Sequence, residues 1–205
     1  MADRIDIMFE EVSNDAVVEV EASGRHIHLC QKDLEALFGE GYELTPIKDL
    51  SQPGQYACKE RVTISGPKGS LNNVIVLGPV RPESQVEVSM TDANVLGIKA
   101  PVRMSGDIKG TPGVTVSNGD RSITLDEGLI VAQRHLHITP EDAERFHVND
   151  GQVIKVKVCG EKDRALIFDD LVVRVNKNFR TYIHIDYDEA NACGFVKGMK
   201  GVLFQ

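Results

Sequence analysis

Tryptophan is absent from this chain, and only 5% of its residues are aromatic. Aliphatic side chains must therefore fill its core. Basic residues are outnumbered: 23 Lys and Arg against 31 Asp and Glu give a formal charge of −8. No stretch is strongly basic, which argues against a nucleic-acid surface. No apolar run approaches the roughly 20 residues that span a bilayer, so no membrane segment is expected. The N-terminus lacks a basic start followed by an apolar stretch, so a secretory signal is not expected either. The four cysteines, Cys30, Cys58, Cys159 and Cys193, are scattered and form no Cys-x-x-Cys pair. They read as reduced thiols of a cytosol-like compartment, small side chains rather than a redox centre.

Histidine is scarce but concentrated. Of six in the chain, four lie in Arg25-His26-Ile27-His28-Leu29 and its near copy Arg134-His135-Leu136-His137-Ile138. Each copy runs into a helix-opening pattern. Gln31 to Phe38 carries Leu34, Leu37 and Phe38 on one face before Gly39, and Thr139-Pro140 supplies an N-cap followed by a first-turn proline. A second similarity follows at a different spacing. Ser84-Gln85-Val86-Glu87-Val88 precedes Asp92-Ala93-Asn94, and Thr181-Tyr182-Ile183-His184-Ile185 precedes Glu189-Ala190-Asn191. Two copies of one unit, the second shorter in its middle, imply an internal duplication.

Most of the chain reads as short strands separated by turn signals such as Gly66-Pro67-Lys68-Gly69, Gly110-Thr111-Pro112-Gly113 and Asn149-Asp150-Gly151. The region from Gly41 to Gly54, with Pro46 and Pro53, reads as loop. Leu129 to His137 reads as one continuous strand, and Ala165–Phe168 and Leu171–Val175 as two. With few helices between them, strands at this spacing suggest β-barrels or sandwiches. Residues 1–14 read as a leader, either an acidic tail or a short amphipathic helix carrying Ile5, Met8, Phe9 and Val12 for a partner to read.

In a strand, residues i and i+2 share a face. His26 and His28 therefore project together, as do His135 and His137. One further ligand makes the three that a catalytic zinc requires, with a fourth position open. The duplication nominates Glu87 for the first site and His184 for the second. Cys30 stands at the same two-residue step, and either ligation or helix capping fits it. His147 has no partner pattern and reads as a surface residue at a helix end. Arg81, in the loop after Gly78-Pro79, suits bidentate capture of phosphate or carboxylate, or else is a solvated loop arginine. Arg25 and Arg134 alternate to the opposite face and read as ion-pair partners. Ser105-Gly106-Asp107 is a flexible turn able to line a site.

Several stretches carry a specific resemblance. Ser23-Gly24-Arg25-His26-Ile27-His28-Leu29, the run from Tyr42 to Gln55, Val76-Leu77-Gly78-Pro79-Val80-Arg81, Lys99-Ala100-Pro101-Val102-Arg103 and Arg134-His135-Leu136-His137 resemble the phosphate propanoyltransferase family. These are the phosphotransacylases of bacterial microcompartments, and the similarity covers about Ala22 to Gly194. It implies a mainly β fold: two β-barrel domains capped by short α-helices, related by duplication, with a two-zinc site between them. The first barrel would run from 25 to 132. The second would run from 133 to 205, joined by the strand at about 15–24. The resemblance places zinc ligands on His26, His28 and Glu87, and on His135, His137 and His184. It places a phosphate contact on Arg81 and a serine near the metals on Ser105. The implied reaction converts a short acyl-CoA, propanoyl or acetyl, and phosphate into acyl phosphate and CoA. Implied partners are these substrates, further copies of the chain, and shell or lumen proteins where the enzyme is packaged; otherwise it works in the cytoplasm. A metal-dependent thioesterase or other hydrolase is the rival among enzymes. A zinc-stabilised β-barrel binding protein is the rival outside them. The segment Val20-Glu21-Ala22-Ser23-Gly24 departs from the family's more apolar approach to the first motif.

Overall fold

The structure is a computed structural model describing residues 16–158 and 164–204. The leader at 1–14 and Cys159 lie outside the described residues. In chain order, β1 (Val17–Ser23) leads into β2 (His26–His28) and α1 (Gln31–Phe38). Then come β3 (Pro46–Asp49), β4 (Tyr56–Ser65), β5 (Ser70–Gly78), β6 (Gln85–Val88) and α2 (Met90–Leu96). The run continues with β7 (Val102–Arg103), β8 (Val114–Asn118), β9 (Arg121–Leu125) and β10 (Leu129–Ala132). After that come β11 (His135–Ile138), α3 (Pro140–Arg145), β12 (Val153–Val158), β13 (Leu166–Val175), β14 (Tyr182–Asp186), α4 (Tyr187–Cys193) and β15 (Lys200–Phe204). No helix among the described residues is long and apolar enough to cross a membrane.

The fold is mainly β. Two compact units divide the chain. One comprises Arg134–His184, Asn191–Gln205 and the described part of Met1–Glu21; the other comprises Ala22–Gln133 and Ile185–Ala190.

A six-stranded barrel closes in the order β1-β14-β11-β13-β12-β15. Alternation builds its interior: Val18 and Val20 of β1 are buried while Val17 and Glu19 face out. Leu136, Ile138, Ile154, Val156, Val173, Ile183 and Leu203 join them. Closure pairs every edge and removes the sticky strand an open sheet would expose. The apolar tail forms β15, which pairs with β1 on one side and β12 on the other. A side chain at Gly201 would meet Val156 Cγ2 at 2.5 Å and Ile183 Cδ1 at 3.1 Å, so only glycine fits there.

The second unit holds a curled half-barrel sheet, ordered β7-β10-β6-β2-β5-β4-β8-β9, with β3 beside β4. Its core is aliphatic, with Ile27, Leu29, Ile64, Val74, Val76, Val86, Val116 and Leu129 each buried. α1 inserts Leu34 and Leu37 into this core and ends at Gly39, whose φ of 121° suits only glycine. α2 opens with a capping box between Ser89 and Asp92 and closes at left-handed Gly97.

Three local expectations change. The region from Gly41 to Gly54 contains β3, a strand with every residue exposed, so no hydrophobic alternation marks it. The expected strand from Leu129 to His137 is two strands, β10 and β11, interrupted at Gln133 and Arg134. The strands expected on either side of Asp169-Asp170 are one, β13, in which Asp170 takes a φ of 55° without ending the ladder.

Glu60 ties the loop after α1 to β4. It is 5% exposed and accepts from the Tyr42 hydroxyl at 2.9 Å and the Thr45 amide at 3.1 and 3.2 Å. Burial opposes its charge, but the backbone and hydroxyl donors around it outweigh that and hold its carboxyl below the ordinary range. A lowered folded pKa stabilises the fold above the unfolded value of about 4.3. That stability is lost as pH falls through the folded value. Glu60→Gln should therefore cost about 1–3 kcal/mol at neutral pH, and the deficit should shrink as pH falls through the carboxylate range. Urea denaturation of both proteins across that range is the check.

Candidate metal centre

Strand register brings each ligand trio together. In the half-barrel, β2 and β6 run antiparallel with His26 opposite Glu87. In the barrel, β11 and β14 run antiparallel with His135 opposite His184. Directly opposed residues have Cβ atoms about 4.5–5.5 Å apart, and residue i+2 shares their face. The result is two clusters, His26-His28-Glu87 and His135-His137-His184. Within each, the candidate ligand atoms lie within 4.8 Å of one another. All six residues are largely buried, none more than 9% exposed.

Hydrogen bonding sets the first cluster's ligand atoms. His26 Nδ1 lies 2.8 Å from the Gly24 carbonyl, so Nδ1 carries the hydrogen and donates it. A side chain at Gly24 would lie 2.8 Å from the Tyr187 ring, so a larger residue there would displace that ring. His26 Nε2 faces Glu87 Oε2 at 3.5 Å. Two electron-rich atoms at that distance call for a cation between them, a proton or a metal. Burial lowers the pKa of His26, yet the neighbouring Glu87 carboxylate more than offsets this and raises it. Burial would raise the Glu87 carboxyl, but His26 and His28 hold it well below the usual range. Burial, with His26 and Arg81 beside it, pushes His28 down to about 2, so that imidazole is neutral. Its Nδ1 is buried without a hydrogen-bond partner. A neutral imidazole with an unmet nitrogen, a committed Nε2 and a charged carboxylate together fit a divalent metal. Two histidines with one carboxylate suit zinc.

The second cluster is three imidazoles. Ring centroids lie 4.5 Å apart for His135 and His137, 4.7 Å for His137 and His184, and 5.0 Å for His135 and His184. Three protonated rings cannot share that space, whereas one cation suits all three. Glu21 Oε2 stands 3.6 Å from His184 Nδ1, the outer carboxylate that a ligating histidine commonly has. The Phe179 ring packs on His137 at 4.1 Å.

Around the first cluster lies a polar network. Arg81 Nη1 donates to Ser105 Oγ at 3.1 Å, and its amide donates to the Leu29 carbonyl at 2.9 Å. Gln85, absent from the sequence-based candidates, joins Glu87, Ser105 and Gly106. Its place two residues before Glu87 on the same strand face was the available signal. Cys30 belongs to neither trio. It occupies the N-cap of α1 without a side-chain hydrogen bond. Arg25 pairs with Asp92 at 2.8 Å, as its alternation suggests, while Arg134 donates to the Asp169 carbonyl at 2.7 Å. His147 is exposed just beyond α3.

Each cluster also sits on the same clasp. In the half-barrel, the Cys30 amide donates to Ser84 Oγ, which donates to Asp33 Oδ2. In the barrel, the Thr139 amide donates to Thr181 Oγ1, which donates to Asp142 Oδ2. An amide following the His-x-His strand, a hydroxyl before the third-ligand strand and a helix aspartate recur in both.

Residues 19–196 match the family model for phosphate propanoyltransferase. Relatives carrying that name include one from Enterococcus faecalis, 62% identical over 187 residues, covering 91% of this chain and 88% of the relative. One from Clostridioides difficile is 58% identical over 194 residues, covering 95% and 92%. One from Listeria monocytogenes is 57% identical over 202 residues, covering 97% and 94%.

Mutating each cluster separately tests their independence. His28→Ala and His184→Ala should each remove about one equivalent of bound zinc, leaving the other trio loaded. Metal analysis after dialysis against excess zinc reads this directly.

Proposed function

Because the chain belongs to the phosphate propanoyltransferase family and is an acyltransferase, we propose that it exchanges CoA and phosphate on short acyl groups, propanoyl or acetyl, with a zinc ion held by each trio. His26, His28 and Glu87 would hold one ion; His135, His137 and His184 would hold the other. Bound there, zinc supplies a Lewis acid for the thioester carbonyl and a soft partner for the departing thiolate.

The remaining work falls to the chain's own groups. Arg81 presents a guanidinium suited to two phosphate oxygens, and the Ser105 hydroxyl stands within hydrogen-bond distance of it. Together they hold phosphate beside the first trio, so that one of its oxygens reaches the acyl carbon as a near neighbour. The new bond joins that oxygen to the acyl carbon, the carbon–sulfur bond breaks, and the electron pair leaves with the CoA thiolate. Arg81 also faces the negative charge that builds in this step. The net charge of −8 makes a local cation more necessary for drawing two anionic substrates to one place.

The observation that carries this reading is the joining of Arg81 and Ser105 to Glu87 through one hydrogen-bond network. A thioesterase needs no phosphate-binding arginine at its metal, and a binding protein needs no open ligand position.

CoA release from propanoyl-CoA and acetyl-CoA should require phosphate and yield acyl phosphate in equal amount. Release at the same rate without phosphate would make the protein a hydrolase. Arg81→Ala should raise the KM for phosphate by about 10–100-fold, the loss of a charge-assisted pair, with zinc content unchanged.

A further inference from the structure

Gln85 is 2% exposed, and its carboxamide is fully committed. Its Oε1 accepts from the Gly106 amide at 2.7 Å. A backbone N–H only donates, so this bond fixes which end of the amide is oxygen. Nε2 then offers two hydrogens, and both have takers: Glu87 Oε1 at 2.6 Å and Ser105 Oγ at 2.9 Å.

Two consequences follow from counting lone pairs. Glu87 presents Oε1 to Gln85 and Oε2 toward His26 Nε2, so its two oxygens are already divided between different tasks. Ser105 Oγ receives hydrogens from both Gln85 and Arg81. An oxygen with both lone pairs engaged can only give its own hydrogen away. A hydroxyl in that condition is a poor nucleophile and a good donor to an anion, and the Glu87 carboxylate, which Ser105 helps to hold ionised, is one such anion beside it.

We propose that Gln85 is a positioning residue: it reserves Glu87 Oε2 as the single metal-ligating oxygen and turns Ser105 into an obligate hydrogen-bond donor, whose one hydrogen turns from Glu87 to phosphate when phosphate binds. This rests on the two-metal phosphotransacylase reading and assigns a role that reading does not contain. Gln85 touches neither reactant; it acts through Glu87 and Ser105. The short distance to Glu87 marks a strong bond to a charged acceptor, and outer partners of this kind usually alter metal affinity by about 10–100-fold.

Cobalt(II) titration in a His184→Ala background, where only the first trio loads, gives a readout independent of turnover. Gln85→Met keeps the volume and removes the amide. It should weaken cobalt binding by about 10–100-fold and shift the cobalt absorption bands as the carboxylate turns to offer both oxygens. In the otherwise native chain it should raise the KM for phosphate by roughly tenfold, because the Ser105 hydrogen is no longer directed. Unchanged cobalt affinity and spectrum would overturn the role assigned through Glu87, and an unchanged phosphate KM the role through Ser105. Cobalt failing to bind even with Gln85 intact would instead sink the metal reading beneath it. A crystal structure of the native zinc-loaded protein decides the matter without any variant. Glu87 ligating through Oε2 alone, with Oε1 still on Gln85, supports the proposal; two-oxygen ligation or a Gln85 turned away refutes it.

Discussion

Both candidate ligand clusters depend on the pairing register of an antiparallel ladder, His26 opposite Glu87 in one unit and His135 opposite His184 in the other. Side chains on a strand alternate strictly between faces, so a slip of one residue would send Glu87 or His184 to the other side of its sheet. The buried apolar residues guard against that slip. Ile27 and Val86 are paired directly on the opposite face, as are Leu136 and Ile183. All four are fully buried. Moving the ligands out would force these aliphatic side chains into water. Fully burying a side chain of this size is worth about 1.5–3 kcal/mol, so the hydrophobic core and the ligand geometry enforce the same alignment.

A second constraint acts on top of the register. Buried imidazoles and carboxylates must be satisfied, and one histidine of each trio meets a fixed partner outside it. The Gly24 carbonyl sets the tautomer of His26, and Glu21 stands beside His184. The hydroxyl clasps of Ser84 and Thr181 tie the end of each His-x-His strand to the start of its helix. Such groups cost little to order once the sheet exists, because β-strands already hold their backbones rigid. They leave side chains held in place by their neighbours, the condition that a well-defined metal site would require. Beside the first trio, burial keeps His28 neutral with His26 and Arg81 adding to the effect, and Arg81 gives an acidic protein a spot that anions favour.

Duplication was legible in the sequence because it repeats side-chain chemistry as well as polarity. His-x-His recurs outright, and the third member of each cluster is recoverable because Glu87 and His184 stand in matching surroundings. The N-cap at Thr139 and the stop at Gly39 were also readable, since capping is local chemistry. Gln85 was not, because its importance lies in Ser105 and Gly106, which sit 20 and 21 residues away in the chain. β3 escaped notice because it is exposed on every residue and is placed by its pairing to β4. The interruption between β10 and β11 falls at Gln133-Arg134, where no Gly, Pro, Asn or Asp marks a turn.

Composition and spacing by themselves determined that this chain would be an aliphatic β protein with two histidine pairs, each pair on one strand face. That follows from local geometry, because the strand period of two is a property of the backbone. Only the tertiary structure decided which strand each pair would meet, that one sheet would close while the other stays a curled half-barrel, and which polar groups would stand behind the ligands. Those outcomes depend on contacts between residues far apart in the chain. Their energies come from burial and pairing that no short stretch can express.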